Sequence, residues 1–274
     1  MNVYITGDLH GNATRIHNFY NNIKGTNKEN EENWIICLGD FGALYYFDYR
    51  DDNFKKRLHK YPFKYFIIRG NHEERASIRQ KLKPNDWEEK IIFDNKVLVE
   101  KKYPNIYYAM DGGGIYNIGG YKSLILPGAY SVDKYYRLQN GAQWFENELL
   151  TEDEMNAIEK SIIGQKFDFI LTHTCPISWE PTDLFLGSVN QSTVDKSMEI
   201  WMDRIKDKIK WQIWCFGHFH ADRLERPHVE MFFRDTELLA NVWQRWEKYR
   251  ETGELDWWLE RSPRFFWIEE NSNI

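Results

Sequence analysis

The chain has 274 residues, a formal net charge of -6 and a sequence pI near 5.8, which argues against a tight nonspecific grip on nucleic acid, since that wants a basic surface. Three scattered cysteines, Cys37, Cys175 and Cys215, make no disulfide framework, and no run of about 18 apolar residues marks a membrane span. With no basic leader ahead of an apolar run at Met1, a soluble cytoplasmic protein is expected.

Val3, Tyr4 and Ile5 read as a short strand that stops at Gly7, and Asp8 and His10 follow at once. Gly11 opens a helix with Ile16, Phe19, Tyr20 and Ile23 at helical spacing and Lys24-Gly25 as its stop. A polar loop leads to a second apolar run, Ile35 to Leu38, which ends at Gly39-Asp40. Tyr45, Tyr46, Phe47 and Tyr49 then form an aromatic cluster that either packs a loop on the sheet or walls a pocket. A helix is expected from near Asp52, with Phe54 and Leu58 inward, before a strand from Tyr65 to Ile68 that ends in Gly70-Asn71-His72-Glu73.

From Asn95 to Ala129 short apolar runs alternate with glycine turns: Lys96 to Glu100, Ile106 to Ala109, Ile115 to Ile118 and Ser123 to Leu126. This pattern predicts an antiparallel meander. Thr151 to Glu154 is a capping box for a helix carrying Ile158 and Ile162, and the strand Phe167 to Leu171 behind it ends at Thr172-His173. A second amphipathic helix, with Val194, Met198, Trp201, Ile205 and Ile209 on one face, leads to the strand Gln212 to Phe216 and to Gly217-His218-Phe219-His220. One more strand is expected at Val229 to Phe233. Parallel βα units together with a meander predict an α/β fold of two stacked mixed β-sheets flanked by helices, a four-layer αββα sandwich with its site at the strand ends. A single catalytic domain is expected over residues 1–234. Residues 235–274 hold Trp243, Trp246, Trp257, Trp258 and Trp267, and are expected as an appendage that packs on the domain or makes a homo-oligomer contact.

Five apolar strands thus end in metal-binding residue types, in the order D-x-H, G-D, G-N-H-E, H and G-H-x-H. That order, spanning Asp8 to His220, resembles the calcineurin-like metallophosphoesterases. The resemblance implies that Asp8, His10, Asp40 and His220 hold one divalent ion and that Asp40, Asn71, His173 and His218 hold a second. It also implies that His72 faces the substrate, stabilises the phosphoryl transition state and protonates the leaving oxygen. Two ions about 3.5 to 4 Å apart can share a hydroxide for in-line attack and grip the phosphoryl oxygens. Two carboxylates against four cationic charges leave such a site net positive, as an anionic phosphate-ester substrate requires. Mixed oxygen and nitrogen donors suit manganese first, with iron, zinc or nickel as alternatives, better than calcium or magnesium.

The chain also departs from the proteins it resembles. Phosphoprotein phosphatases continue G-D with x-x-D-R-G, whereas Gly39-Asp40 is followed here by Phe41-Gly42-Ala43-Leu44, and Ala43 also rules out the metal-binding tyrosine of purple acid phosphatases. The carboxylate partner of His72 is therefore open, with Glu73 the nearest candidate and an anchor for the turn as its other reading. The stretch Gly128 to Arg137 resembles one in bacterial and phage members, and puts forward Arg137 as a substrate phosphate contact through its planar fork, or else as part of an ion network. His17, His59 and His228 match no motif position and are read as structural. The activity expected is that of a phosphomonoesterase. A phosphodiesterase or nuclease is the alternative within the same chemistry, and a non-catalytic metal-binding scaffold with an aromatic, partner-binding tail is the alternative of another class.

Overall fold

The computed structural model describes residues 1–254, and Trp257, Trp258 and Trp267 lie outside them. Strand β1 (Asn2–Thr6), helix α1 (Ala13–Ile23), strand β2 (Asn33–Cys37), helix α2 (Tyr49–Leu58) and strand β3 (Phe63–Ile67) make two parallel βα units. Helix α3 (Ala76–Leu82) leads to the antiparallel run β4 (Trp87–Ile92), β5 (Asn95–Glu100) and β6 (Ile106–Ala109), and β6 lies parallel beside β3. The chain then crosses to a second sheet. There β7 (Gly114–Ile118) and β8 (Tyr121–Leu126) precede helices α4 (Lys134–Gln139) and α5 (Glu152–Ile162), strand β9 (Lys166–Thr172), helix α6 (Ser197–Lys206), strand β10 (Lys210–Phe216) and strands β11 (Arg223–Arg226) and β12 (Val229–Met231). Finally β13 (Thr236–Leu238) returns to pair antiparallel with β1, and α7 (Leu239–Thr252) follows it. The sheet orders are β13-β1-β2-β3-β6-β5-β4 and β11-β12-β10-β9-β8-β7.

Burial on both faces explains why the central strands are apolar without alternation. In β2, Trp34 and Ile36 face the core between the sheets, while Ile35 and Cys37 face α1 and α2. In β10, Ile213 and Cys215 face the inter-sheet core, while Trp214 and Phe216 meet Met198, Trp201 and Ile205 of α6. The result is two mixed sheets between flanking helices, as expected.

Three details differ from the sequence reading. The run from Asn95 to Leu126 is divided between the two sheets, because a period of two fixes which face a residue takes and says nothing about which sheet its strand joins. Helix α2 begins at Tyr49, ahead of Asp52, because the Asp48 carboxylate accepts the backbone N–H of Arg50 and caps it. Strand β4 was not expected: its Glu88, Glu89 and Lys90 suit the charged edge position that it occupies.

Residues 236–252 build directly on the sandwich. Trp243 packs on Tyr121 and Phe169, and Trp246 packs on His228. Arg245 of α7 is buried and reaches Glu230 in one sheet and Glu237 in the other, so a single guanidinium ties the two sheets together. Arg245→Met removes the cation shared by buried Glu230 and half-buried Glu237 and is expected to cost about 3–5 kcal/mol, read as a lowered urea midpoint.

A second stability prediction concerns Glu199 on α6, which is 4 % exposed. Burial pushes its carboxyl up to about 7. One oxygen accepts from Thr174 Oγ1 at 2.9 Å and the other has no hydrogen-bond partner among the described residues. Because the folded state holds the proton more tightly than the unfolded chain, stability falls as pH rises from the ordinary glutamate range to about 7, by about 3 kcal/mol. Glu199→Gln should therefore match the wild type in melting temperature near pH 4 and exceed it at pH 8. Equal melting curves at both pH values would refute this. Among the described residues no helix is long and apolar enough to cross a membrane.

Candidate metal centre

The topology brings distant residues together. Strands β1, β2 and β3 are parallel neighbours in one sheet, β9 and β10 are parallel neighbours in the other, and the loops leaving their carboxyl ends meet over the inter-sheet core. Asp8 and His10 follow β1, Asp40 follows β2, Asn71 and His72 follow β3, His173 follows β9, and His218 and His220 follow β10. The turns are sharp enough to put His10, Asp40, His218 and His220 in the left-handed region, at φ 46°, 46°, 71° and 55°. Non-glycine residues avoid that region, so the surrounding fold holds these four in strained backbone.

The loops are stitched to one another by their own backbone. The carbonyl of Asp40 accepts the N–H groups of Leu9 and His10, at 3.1 and 2.7 Å. The Asp40 carboxylate, 2 % exposed, accepts the N–H of His72 at 2.8 Å, and Asp8 Oδ1 accepts that of His218 at 3.1 Å. Two glycines are required by close approach. A Cβ at Gly70 would lie 2.0 Å from Asp40 Oδ1, and one at Gly39 would lie 2.0 Å from His173 Nδ1.

The seven residues expected as ligands, and His72, come together here, whereas Arg137 does not reach the cleft. Donor atoms of Asp8, His10 and His220 lie within 4.8 Å of one another, as do those of His10, Asp40 and His72 and those of Asp8, Asp40 and His173. Asn71 Oδ1 is 2.9 Å from His173 Nε2, and the His218 ring is 5.0 Å from the His173 ring. Both carboxylates thus belong to two clusters, Asp8 to the first and third and Asp40 to the second and third.

Whether this donor set fits cations can be judged from the lone pairs. His173 Nδ1 donates to Leu38 O at 2.7 Å, which turns Nε2 towards two oxygens, Asn71 Oδ1 at 2.9 Å and Asp40 Oδ2 at 3.5 Å. A neutral imidazole would point a lone pair at two others, so a positive charge belongs there. Without a metal the charge is a proton: burial opposes it, but Asp40 and Asp8 outweigh burial and hold the ring up at about 9. On the other side His10 Nε2 and His220 Nε2 face each other at 2.9 Å, with buried Asp8 Oδ2 beside them, 3.3 Å from His220 Nε2. Burial works to raise both carboxyls, yet the histidines hold Asp8 below and Asp40 well below the ordinary range. Oxygen and imidazole donors aimed at shared points fit divalent cations at both clusters.

The surroundings of His72 hold Asp133, which the sequence does not assign to the site, and Tyr45, from the aromatic cluster expected either to pack a loop or to wall a pocket. The His72 ring lies under Tyr45, stacked at 5.9 Å, and its Nε2 is 3.8 Å from Asp133 Oδ2. Burial, despite the pull of Asp40, lowers its imidazole to about 4, so the ring is neutral at neutral pH. Glu73 points elsewhere. One of its oxygens accepts the N–H of Gly42 at 2.9 Å and the other faces the N–H of Gly70, so its carboxylate anchors the turn, and the carboxylates near the His72 ring are Asp40 and, 3.8 Å from Nε2, Asp133. Arg137 is 3 % exposed, and its terminal nitrogens are engaged by Ser131 Oγ and by Gln143 O at 3.0 Å. Its guanidinium forms part of the wall behind Asp133 and His72. The Gly128 to Arg137 stretch drew attention to this loop, but nothing in its spacing distinguished Asp133 from Arg137.

A four-layer sandwich with an aspartate and histidine cleft at its parallel strand ends defines a metallohydrolase of the phosphoesterase type. The family model for calcineurin-like phosphoesterase matches residues 1–222, and the chain belongs to that family. It is thereby a metal-dependent phosphoric ester hydrolase, and the family implies a centre of two divalent ions. A solved structure of a phosphopantetheinyl hydrolase from Mycobacterium tuberculosis is similar at 13% sequence identity, over 93% of this chain and 94% of that one, with a TM-score of 0.43. A likeness of that size carries no argument about substrate. Comparison with curated proteins gives no match.

Proposed function

We propose that this phosphoesterase is a phosphomonoesterase working with two manganese ions, in which Asp8, His10, Asp40 and His220 hold one ion and Asp40, Asn71, His173 and His218 hold the other. The observation that carries the reading is that Asp8 and Asp40, both buried, each belong to two donor clusters, with one Asp40 oxygen fixed by the His72 backbone N–H and the other facing His173 at 3.5 Å and His10 at 3.9 Å. Bound as a pair, such ions supply Lewis acidity for phosphoryl oxygens and make an ionised water available near neutral pH. The chain's own residues do the rest. Leu38 O fixes the tautomer of His173, so that Nε2 is the nitrogen offered to the cleft. His72, neutral and stacked against Tyr45, donates its N–H to a phosphoryl oxygen as charge builds on it.

The preference for monoesters over nucleic-acid diesters follows from charge. A net charge of -6 offers no basic track for a polyanion, whereas a terminal phosphoryl group needs only the local field of the centre. We place the protein in the cytosol, in keeping with three buried free thiols. The test is a manganese-loaded assay of an aryl phosphate monoester against the matched diester. The expected result is a kcat/KM at least about tenfold higher on the monoester, roughly 1.4 kcal/mol of discrimination. The reverse ratio would make the chain a diesterase.

A further inference from the structure

Asn71 differs from the other ligands in having two unlike ends. Its amide can turn over by 180° and present NH2 where the ion needs an oxygen, and the two orientations fill the same space. Something must choose between them. In the structure Oδ1 faces His173 Nε2, and Nδ2 donates to Ser131 Oγ at 3.0 Å. Ser131 is fully buried and its hydroxyl meets three groups: Asn71 Nδ2, an Arg137 Nη and the Glu148 carboxylate. An arginine can only donate, so the single acceptor for the hydroxyl hydrogen is Glu148. Glu148, also buried, holds Ser131 from both sides, because its other oxygen accepts the Ser131 N–H at 2.9 Å. With its hydrogen committed to Glu148, the Ser131 oxygen has only lone pairs left for Asn71. Only the NH2 end of the amide can sit there.

We infer that Ser131 and Glu148 are positioning residues that lock the Asn71 amide with its oxygen towards the metal cleft. The inference rests on the proposed role of Asn71 as a ligand of the second ion. Through Arg137, which also lies 3.1 Å from Asp133, the same network borders His72, so one buried serine sits behind both the metal-binding and the substrate-facing side chains of this turn. A second-sphere partner of this kind typically changes metal affinity by about 10- to 100-fold.

The experiment is calorimetric titration of the metal-free protein with manganese chloride alone, which reads each ion's affinity without turnover. Wild type should take up two ions. Ser131→Ala should weaken the second by about 10- to 100-fold and leave the first within about threefold. Glu148→Gln should do the same, since an amide oxygen placed on the Ser131 N–H leaves an NH2 facing Oγ that cannot accept the hydroxyl hydrogen. The decisive arm repeats Ser131→Ala in an Asn71→Asp background. A carboxylate presents oxygen whichever way it turns, so the loss should shrink to under about threefold there. An equal loss in both backgrounds would reduce Ser131 to a packing role and overturn the lock. So would unchanged affinity in both Ser131→Ala and Glu148→Gln. If wild type itself took up no second ion, the ligand role of Asn71 would fall first and the lock with it, a failure distinct from the others.

Discussion

Asp40→Asn is expected to remove turnover almost completely, by at least about a thousandfold in kcat/KM or roughly 4 kcal/mol of transition-state stabilisation, while leaving the fold intact. The substitution conserves volume, and the oxygen that accepts the His72 N–H can remain. What goes is the charge between the two clusters and the second acceptor oxygen, which lies 3.5 Å from His173 Nε2 and 3.9 Å from His10 Nε2. An amide there presents hydrogens to ligands that need to face a cation. Bound manganese measured by elemental analysis should fall from two ions per chain to one or none. A variant that kept both ions and most of its turnover would show that Asp40 does not join them.

His72→Asn should separate binding from chemistry. The backbone N–H that orients Asp40 is untouched by the change, and the shorter side chain cannot reach where the imidazole reaches. Loss of one donor to a developing negative charge costs about 10²–10³ in kcat. The expected result is that loss with KM nearly unchanged and both ions retained. If the ions left as well, His72 would be a ligand, as its place in a cluster with His10 and Asp40 permits, and its separate role would be wrong.

The ligands were legible because metal chemistry restricts residue type and parallel strands restrict position. A run such as Ile35 to Leu38 announces a strand covered on both faces, and whatever follows its last residue must stand at the sheet edge. The same logic applied at Asp8, Asn71, His173 and His218. Less could be read where pattern and topology part company. The short strands from Asn95 to Leu126 alternate alike whichever sheet they join, and strand β13 has three residues. Asp133, Ser131 and Glu148 were silent for another reason. Their importance lies in which atom donates to which across a buried network, and spacing carries no trace of that.

The central claim is that one aspartate joins two cations, and it is tested most directly by diffraction at the manganese absorption edge from crystals grown with manganese. The expected anomalous map has two peaks about 3.5 to 4 Å apart, one against His10 and His220, the other against Asn71, His173 and His218, with the Asp40 carboxylate between them. One peak, or two peaks with Asp40 turned away from either, would contradict it.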